Sequence, residues 1–456
     1  MNTTLKEQRF DWPVCYKAEE FILNQLAAFT ERNRFAASLA ERMRDETGTL
    51  LLDWVDHLVL APGESSRLQE AGYTVDARPE APRGFHTWRH PEALLPAVLL
   101  EEGAPPAGAP SVVAIRCEAL SDFMVAHDLS DEPVGLPLSR YRHLAVSREN
   151  GVRLDLVERR GYTGFVASSD GPSASTLLQA WELWRTRPRR TSDEAEDFRR
   201  AQHLLERVIK LLGRDLACHV VFAVEREYWQ RRNRAAQLQK ARQDRLGLGW
   251  ANHDHHTFRS SRVHFVALMR VLEKLGFERR ERYYAGAQAG WGAQILEQPT
   301  EGIVTFCDVD LAPDETAIDF SRQPLPAATK LGTIGLWVGL HGESFLDAGL
   351  HHLECRFDYQ LLRDQLAQAG VSTMKPFSDF PFLKQAFTEG ERWPVRRQRA
   401  DRLLQQALIT EAQHQTFLRE GAIGSHLENL QRKGGFKGFN QKSVSAIIQA
   451  TDPRGT

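Results

Sequence analysis

The sequence predicts an α+β protein built from tandem βαβββ modules that form a curved mixed sheet with helical insertions. Three observations point there. From Gly249 the pattern runs strand, helix, then several strands. The same order restarts at Leu350. The N-terminal half carries echoes of both: VRLDLVERRGYTGF (152–165) is like SHLENLQRKGGFKGF (425–439), and WVDHLVL (54–60) is like the opening strand of each module.

Residues 18–46 read as helix, with Phe21, Ile22, Leu26, Phe29 and Phe35 at apolar positions. Leu50–Leu60 reads as a strand and Ser65–Ala71 as a short helix stopped by Gly72. Strands are expected at Ala97–Leu100, Ser111–Arg116, 142–147 and 151–158, with Pro- and Gly-rich loops at 78–92 and 103–110. WRTRPRRTSDEAEDF (184–198) reads as a solvated linker leading into a helix cap. Helices follow at 194–213 and 225–245, and the basic residues of the second read as a charged outer face. In the C-terminal half, Trp250–Arg259 opens the first module. Helix Val263–Leu275 and strands near 279–284, 291–297 and 302–311 complete it. Leu350–Phe357, helix 358–369 and strands near 382–388 and 424–431 form the second, with a mostly helical stretch at about 396–420. The expected division is an N-terminal domain over 1–184, a degenerate copy of the same architecture; a helical linker over 185–248; and a C-terminal domain over 249–456 with an insertion at 391–422.

Composition excludes several classes. A formal charge of −2 over 456 residues gives no electrostatic case for nucleic acid or a membrane surface. There is no run of eighteen apolar residues. Five scattered cysteines without a CxxC argue against a disulfide framework or a Cys-rich zinc site. The chain reads as cytoplasmic, with a small-molecule acid as its partner and a homodimer admitted as an assembly.

Three stretches read as one metal site: Asp254-His255-His256, His351-His352-Leu353, and the strand holding Glu428. Two imidazoles and one carboxylate with open positions are the usual face for non-haem Fe(II) in oxygen chemistry. Adjacent strand residues face opposite sides, so one histidine of each pair can ligate. His255 and His352 hold equivalent places in their modules. Glu389, in FTEGERW, is the rival carboxylate and is assigned to a turn or to the entrance of the insertion. Asp308 and Asp310 alternate on a strand and read as hydrogen-bonding or solvent-facing. Arg259 and Arg356 are each a candidate clamp for a substrate carboxylate or, equally, a partner in a structural salt bridge. In the N-terminal half, His57 and Asp155 fall where ligands would.

These stretches resemble the vicinal oxygen chelate superfamily, in particular 4-hydroxyphenylpyruvate dioxygenase and the 2-oxoadipate dioxygenase/decarboxylase family. DHHTFR (254–259) is similar to the strand that supplies the first metal histidine, and Arg259 stands four residues after His255, as does a carboxylate-binding arginine in the decarboxylases. LHHLECR (350–356) resembles the strand of the second histidine, with His352 as the match. HLENLQRKGGFKGFNQKSVSAII (426–448) resembles the dioxygenase C-terminus, with Glu428 on the ligand glutamate, then a Gly-Phe turn and a closing helix. The resemblance spans roughly 250–450. It departs by one inserted residue after Gly434, by the segment 391–422, and in the polar residues that hold the aromatic substrate. It implies His255, His352 and Glu428 on Fe(II) (Mn, Zn or Ni as alternatives), dioxygen as co-substrate, and decarboxylating hydroxylation of a 2-oxo acid. The Phe436–Phe439 pair would gate the pocket. The rival readings are a non-oxidative lyase, isomerase or hydrolase on the same scaffold, and a metal-free binding or scaffold protein.

Overall fold

The computed structural model describes residues 12–102, 110–167, 171–190, 193–440 and 451–454. Its strands are β1 (Val55–Leu60), β2 (Thr74–Val75), β3 (Phe85–Arg89), β4 (Ala97–Glu101), β5 (Val112–Arg116), β6 (Tyr141–Glu149), β7 (Val152–Arg159) and β8 (His253–Arg259). They continue as β9 (Glu278–Tyr284), β10 (Trp291–Gln298), β11 (Ile303–Asp310), β12 (His352–Arg356), β13 (Ser378–Phe380), β14 (Leu383–Phe387), β15 (Glu391–Trp393) and β16 (Ala422–Arg432).

The C-terminal strands form one curled mixed sheet in the order β13-β14-β16-β12-β8-β11-β10-β9, with β15 beside β16. Each half of that sheet is a βαβββ module. In the first, helix Phe265–Lys274 links β8 to β9, and the last strand, β11, returns parallel to β8. In the second, helix Tyr359–Gln368 follows β12, and β16 returns parallel to β12. The opening strands β8 and β12 pair antiparallel at the junction. The junction is therefore the place where β8, β12 and β16 lie side by side.

The N-terminal sheet, β2-β3-β4-β1-β5-β7-β6, repeats this plan. Its two opening strands, β1 and β5, pair antiparallel, and the strands beside them, β4 and β7, run parallel to them. Its second unit, β5-helix-β6-β7, is one strand shorter than the others. Each sheet is preceded by a helix pair broken at an asparagine. Asn33 divides Tyr16–Thr30 from Arg34–Thr47, and Asn233 divides Arg214–Gln230 from Arg234–Asp244. Each Asn accepts from the backbone N–H three residues on, at 2.9 Å from Ala36 and 2.8 Å from Ala236, which starts a new helix. The single helices expected at 18–46 and 225–245 are therefore each two. Further differences are at element ends: Leu51–Trp54 is a helical turn before β1, and Trp250–Asn252 precede β8 as a turn.

Helix Arg214–Gln230 packs against the back of the C-terminal sheet. Leu216, Ala217, Val220, Val221 and Val224 form a buried stripe at helical spacing, shared with Phe258, Leu353 and Cys355. The arginine-rich linker is only partly solvated: Arg185 and Arg190 are exposed, whereas Arg187 and Arg189 are drawn inward. Arg187 and Arg189 both pair with buried Glu225, and they stack on Trp184 and Tyr228 at 4.0 and 3.6 Å. The insertion 391–422 holds β15 and helices Arg397–Gln405 and Glu411–Glu420, which pack against helix Thr333–His341. The closing helix expected at the C-terminus lies at 441–450, outside the described residues.

Candidate metal centre

Register alone brings the ligand candidates together. Glu354 on β12 is flanked on one side by His255 on β8 and on the other by Glu428 on β16. His352, two residues before Glu354, shares its face because strand side chains alternate. The β8–β12 register shifts between His255 and His253, a bulge that re-aims Asp254.

The four side chains converge. His255, Glu354 and Glu428 place one ligand atom each within 4.8 Å of one another. His255 Nε2 and His352 Nε2 lie 2.9 and 2.6 Å from the same Glu354 Oε1, and His352 Nε2 lies 3.6 Å from Glu428 Oε2. None is more than 7 % exposed. Burial drives the His255 imidazole down to about 4 and His352 well below its ordinary value. It also pushes the Glu354 carboxyl well above its ordinary value, with Glu428 beside it acting in the same direction, and raises Glu428.

Neighbouring groups fix orientation. Asp254 is held ionised against Arg432, at 2.9 Å, and His255 Nδ1, also at 2.9 Å. An ionised carboxylate can only accept, so His255 Nδ1 donates and Nε2 keeps its lone pair. His352 Nδ1 lies 2.5 Å from His351 Nδ1. With the proton on His352 Nδ1, its Nε2 also presents a lone pair. Thr257 donates to Glu354 Oε1 at 3.1 Å, and Gln385 donates to Glu428 Oε1 at 2.9 Å. Glu354 Oε2 is buried without a hydrogen-bond partner. Two imidazole lone pairs and two carboxyl groups thus crowd together out of water, and without a cation the carboxyls resist ionisation. That donor set fits a divalent cation.

The centre lines a small cavity of about 70 Å³ walled by Phe306, Phe377, Phe387 and Phe439. Arg259 also lines it, 3 % exposed, with Nε and Nη1 free of hydrogen bonds and Asp308 Oδ2 3.9 Å away. Burial lowers Arg259 to about 10, so it stays charged, and raises Asp308 to about 7 against the pull of Arg259.

The structure brings His255, His352, Glu428 and Arg259 to one cavity. Arg356 does not line it: its guanidinium is turned to Asp254, 3.8 Å away, which sets it aside as a clamp. Glu389 is exposed in the short link between β14 and β15, at the entrance of the insertion. Asp310 accepts from the backbone N–H groups of Gly332, Ile334 and Gly335 at the start of a helix, the hydrogen-bonding role expected. Asp308 instead faces the cavity. Of the two phenylalanines, Phe439 packs on His255 at 4.8 Å, while Phe436 packs with Leu383 and Leu430. No lining residue comes from 391–422. Sequence reasoning missed Glu354, although its i+2 spacing from His352 on a strand was a usable signal.

The N-terminal sheet keeps the frame of this site with two of its four residues of ligand type. His57 faces Ala114, and Ala114 faces Asp155, as His255 faces Glu354 and Glu354 faces Glu428. Asp56 bridges His57 and Arg159 as Asp254 bridges His255 and Arg432. Phe165 lies 4.9 Å from His57. Alanine thus stands where Glu354 would, and Val112 where His352 would. Among the described residues, the other cluster of metal-ligating type is Glu194, His264 and Glu343, where Arg399 already neutralises Glu194.

No family profile matches the chain, and no curated protein matches it. Solved structures similar to it include a triple variant of 4-hydroxymandelate synthase from Streptomyces coelicolor, at 13% identity and TM-score 0.29, covering 88% of this chain and 98% of that one. A presumed hydrolase from Shewanella frigidimarina NCIMB 400 matches at 14% and 0.32, over 50% and 96% of the two chains. Methylmalonyl-CoA epimerase from Mycobacterium tuberculosis matches at 14% and 0.23, over 40% and 88%. At these scores none of them assigns an activity to this chain.

Proposed function

We propose that the chain is an Fe(II)-dependent dioxygenase of the vicinal oxygen chelate type, acting on a 2-oxo acid or a similar chelating acid. The observation that carries the reading is the buried convergence of His255, His352, Glu354 and Glu428 at the junction of two βαβββ modules. His255, His352 and Glu428 would hold the metal, as in the resemblance. Bound there, iron would supply the redox chemistry on dioxygen and the pull on a 2-oxo acid's carboxylate and keto oxygens.

The chain's own residues do the rest. Asp254 and His351 hold the two imidazoles so that each Nε2 faces the centre. Arg259, charged and short of hydrogen-bond acceptors, binds the acid group of the substrate. Asp308 in its protonated form leaves Arg259 free to do so. The phenylalanine wall excludes water and strengthens each of these contacts.

A second reading rests on Glu354. If it ligates as well, a His₂Glu₂ set leaves fewer open positions, which suits non-oxidative chemistry by a metal that only polarises oxygen atoms. Anaerobic addition of Fe(II) and a panel of 2-oxo acids, followed by visible absorbance and then oxygen uptake, separates the readings. A charge-transfer band with substrate-dependent oxygen consumption supports the dioxygenase. Metal binding without oxygen uptake leaves the non-oxidative enzyme, and no metal binding sinks both.

A further inference from the structure

A cavity of about 950 Å³ lies between the two halves of the molecule, behind β8 and away from the metal-binding face. Its wall includes Arg116 and Arg159 from the N-terminal half, and Arg226, Arg231, Trp250 and His253 from the C-terminal half. Most of its cations are already satisfied. Arg116 and Arg159 pair with Asp56, and Arg185 and Arg231 pair with Glu227.

Arg226 is different. It is 6 % exposed, and among the described residues no carboxylate lies within ion-pair range of it. Its neighbour Glu225 is taken by Arg187 and Arg189. The polar contact that Arg226 makes is Nη1 to His256 Nε2 at 3.3 Å, and its Nε has no partner. A guanidinium does not deprotonate to relieve burial, so an unpaired one in this position is costly unless an anion joins it. Two more buried polar atoms on the same wall lack partners: Trp250 Nε1, which can only donate, and His253 Nδ1.

We infer that this cleft binds a small anionic ligand through its carboxylate or phosphate oxygens, with the Arg226 fork and the Trp250 indole N–H as donors. The volume suits a metabolite-sized molecule. This site is separate from the metal centre, and the inference does not depend on what that centre catalyses.

The test is a titration of the full-length protein with inorganic phosphate and, separately, with succinate. Ionic strength is held constant with chloride, and tryptophan fluorescence and Tm are read together. A saturable response to at least one of the two anions is expected. Response to phosphate alone identifies a phosphate ligand, and response to succinate alone a carboxylate. Arg226→Gln should weaken binding by about tenfold or more, the loss of a charge-assisted hydrogen bond, and Trp250→Phe by a smaller factor. Arg226→Lys keeps the charge and loses the fork. It should also bind about tenfold more weakly, and with Trp250→Phe it carries the test if Arg226→Gln does not fold. Metal content should be unchanged in all three variants. The inference is overturned if the wild type gives no saturable response to either anion, or if the Arg226 variants bind as tightly as the wild type.

Discussion

Glu354 Oε1 faces two imidazole nitrogens at 2.9 and 2.6 Å, and its burial beside Glu428 favours the protonated form. Glu354→Gln keeps the shape and removes the ionisable group. It should stabilise the metal-free protein by about 1 kcal/mol or more in urea denaturation, because a carboxyl that resists ionisation is replaced by a neutral amide. If His255, His352 and Glu428 suffice for the metal, one equivalent should still bind. If Glu354 is a fourth ligand, affinity should fall by about tenfold or more. Asp308 gives a pH prediction. Its pKa is raised to about 7, so the folded protein retains a proton that the unfolded chain has lost. Its contribution to stability is full below about pH 4 and is lost as pH rises through about 7. Asp308→Asn should therefore stabilise the protein at pH 8 by up to about 4 kcal/mol, with little effect near pH 4. Acid binding at Arg259 should weaken as wild-type Asp308 ionises through that range and become flat in the variant, which a titration of KM against pH would read.

At the scale of elements, the last strand of the second module in each sheet is tied to the opening strand of the first by a buried arginine–aspartate pair. Arg432 at the end of β16 reaches Asp254 on β8, and Arg159 at the end of β7 reaches Asp56 on β1. Both arginines also donate to the backbone carbonyls of the Gly-Phe turn that follows. The Arg432 pair therefore sets the tautomer of His255 and also fixes the turn that carries Phe439. Arg432→Met leaves buried Asp254 with only the more distant Arg356, 3.8 Å away, as a cation and should cost about 3 kcal/mol in chemical denaturation. It should also weaken metal binding, because Asp254 is freed from the geometry that orients His255. The corresponding change at Arg159 leaves Asp56 its ion pair with Arg116 at 3.0 Å, so it should cost less stability and leave metal affinity alone, a contrast that separates the two effects.

Over the whole molecule, two sheets share one plan, and the full cluster of metal-ligating type stands in one of them. In the N-terminal sheet Ala114 and Val112 occupy the registers of Glu354 and His352, so His57 and Asp155 lack the partners that make a cluster. Metal analysis of the purified chain should find about one equivalent, unchanged by His57→Ala and lost in His352→Ala. Two equivalents, with one lost on His57→Ala, would place a working second centre in the N-terminal half. With one equivalent, the N-terminal cavity of about 660 Å³ beside His57, Tyr141 and Phe165 holds no metal.

The βαβββ rhythm, the helix content and the strands holding His255, His352 and Glu428 were legible in the sequence, because strand alternation and helix periodicity are local properties. So were the paired motifs that betray duplication. Other features depended on contacts between residues far apart. Glu354 becomes part of the centre because β12 lies between β8 and β16, and only strand order makes those three neighbours. Arg259 and Arg356 have the same composition and a similar strand context, yet one faces the cavity and the other is drawn off by Asp254, which a bulge has re-aimed. Arg187 and Arg189 looked solvated until Glu225, on a separate helix, was found to bury them. The sequence by itself determined which chemistry the chain could carry. The tertiary structure decided which of those groups share a water-free space, because burial and charge act between neighbours in space.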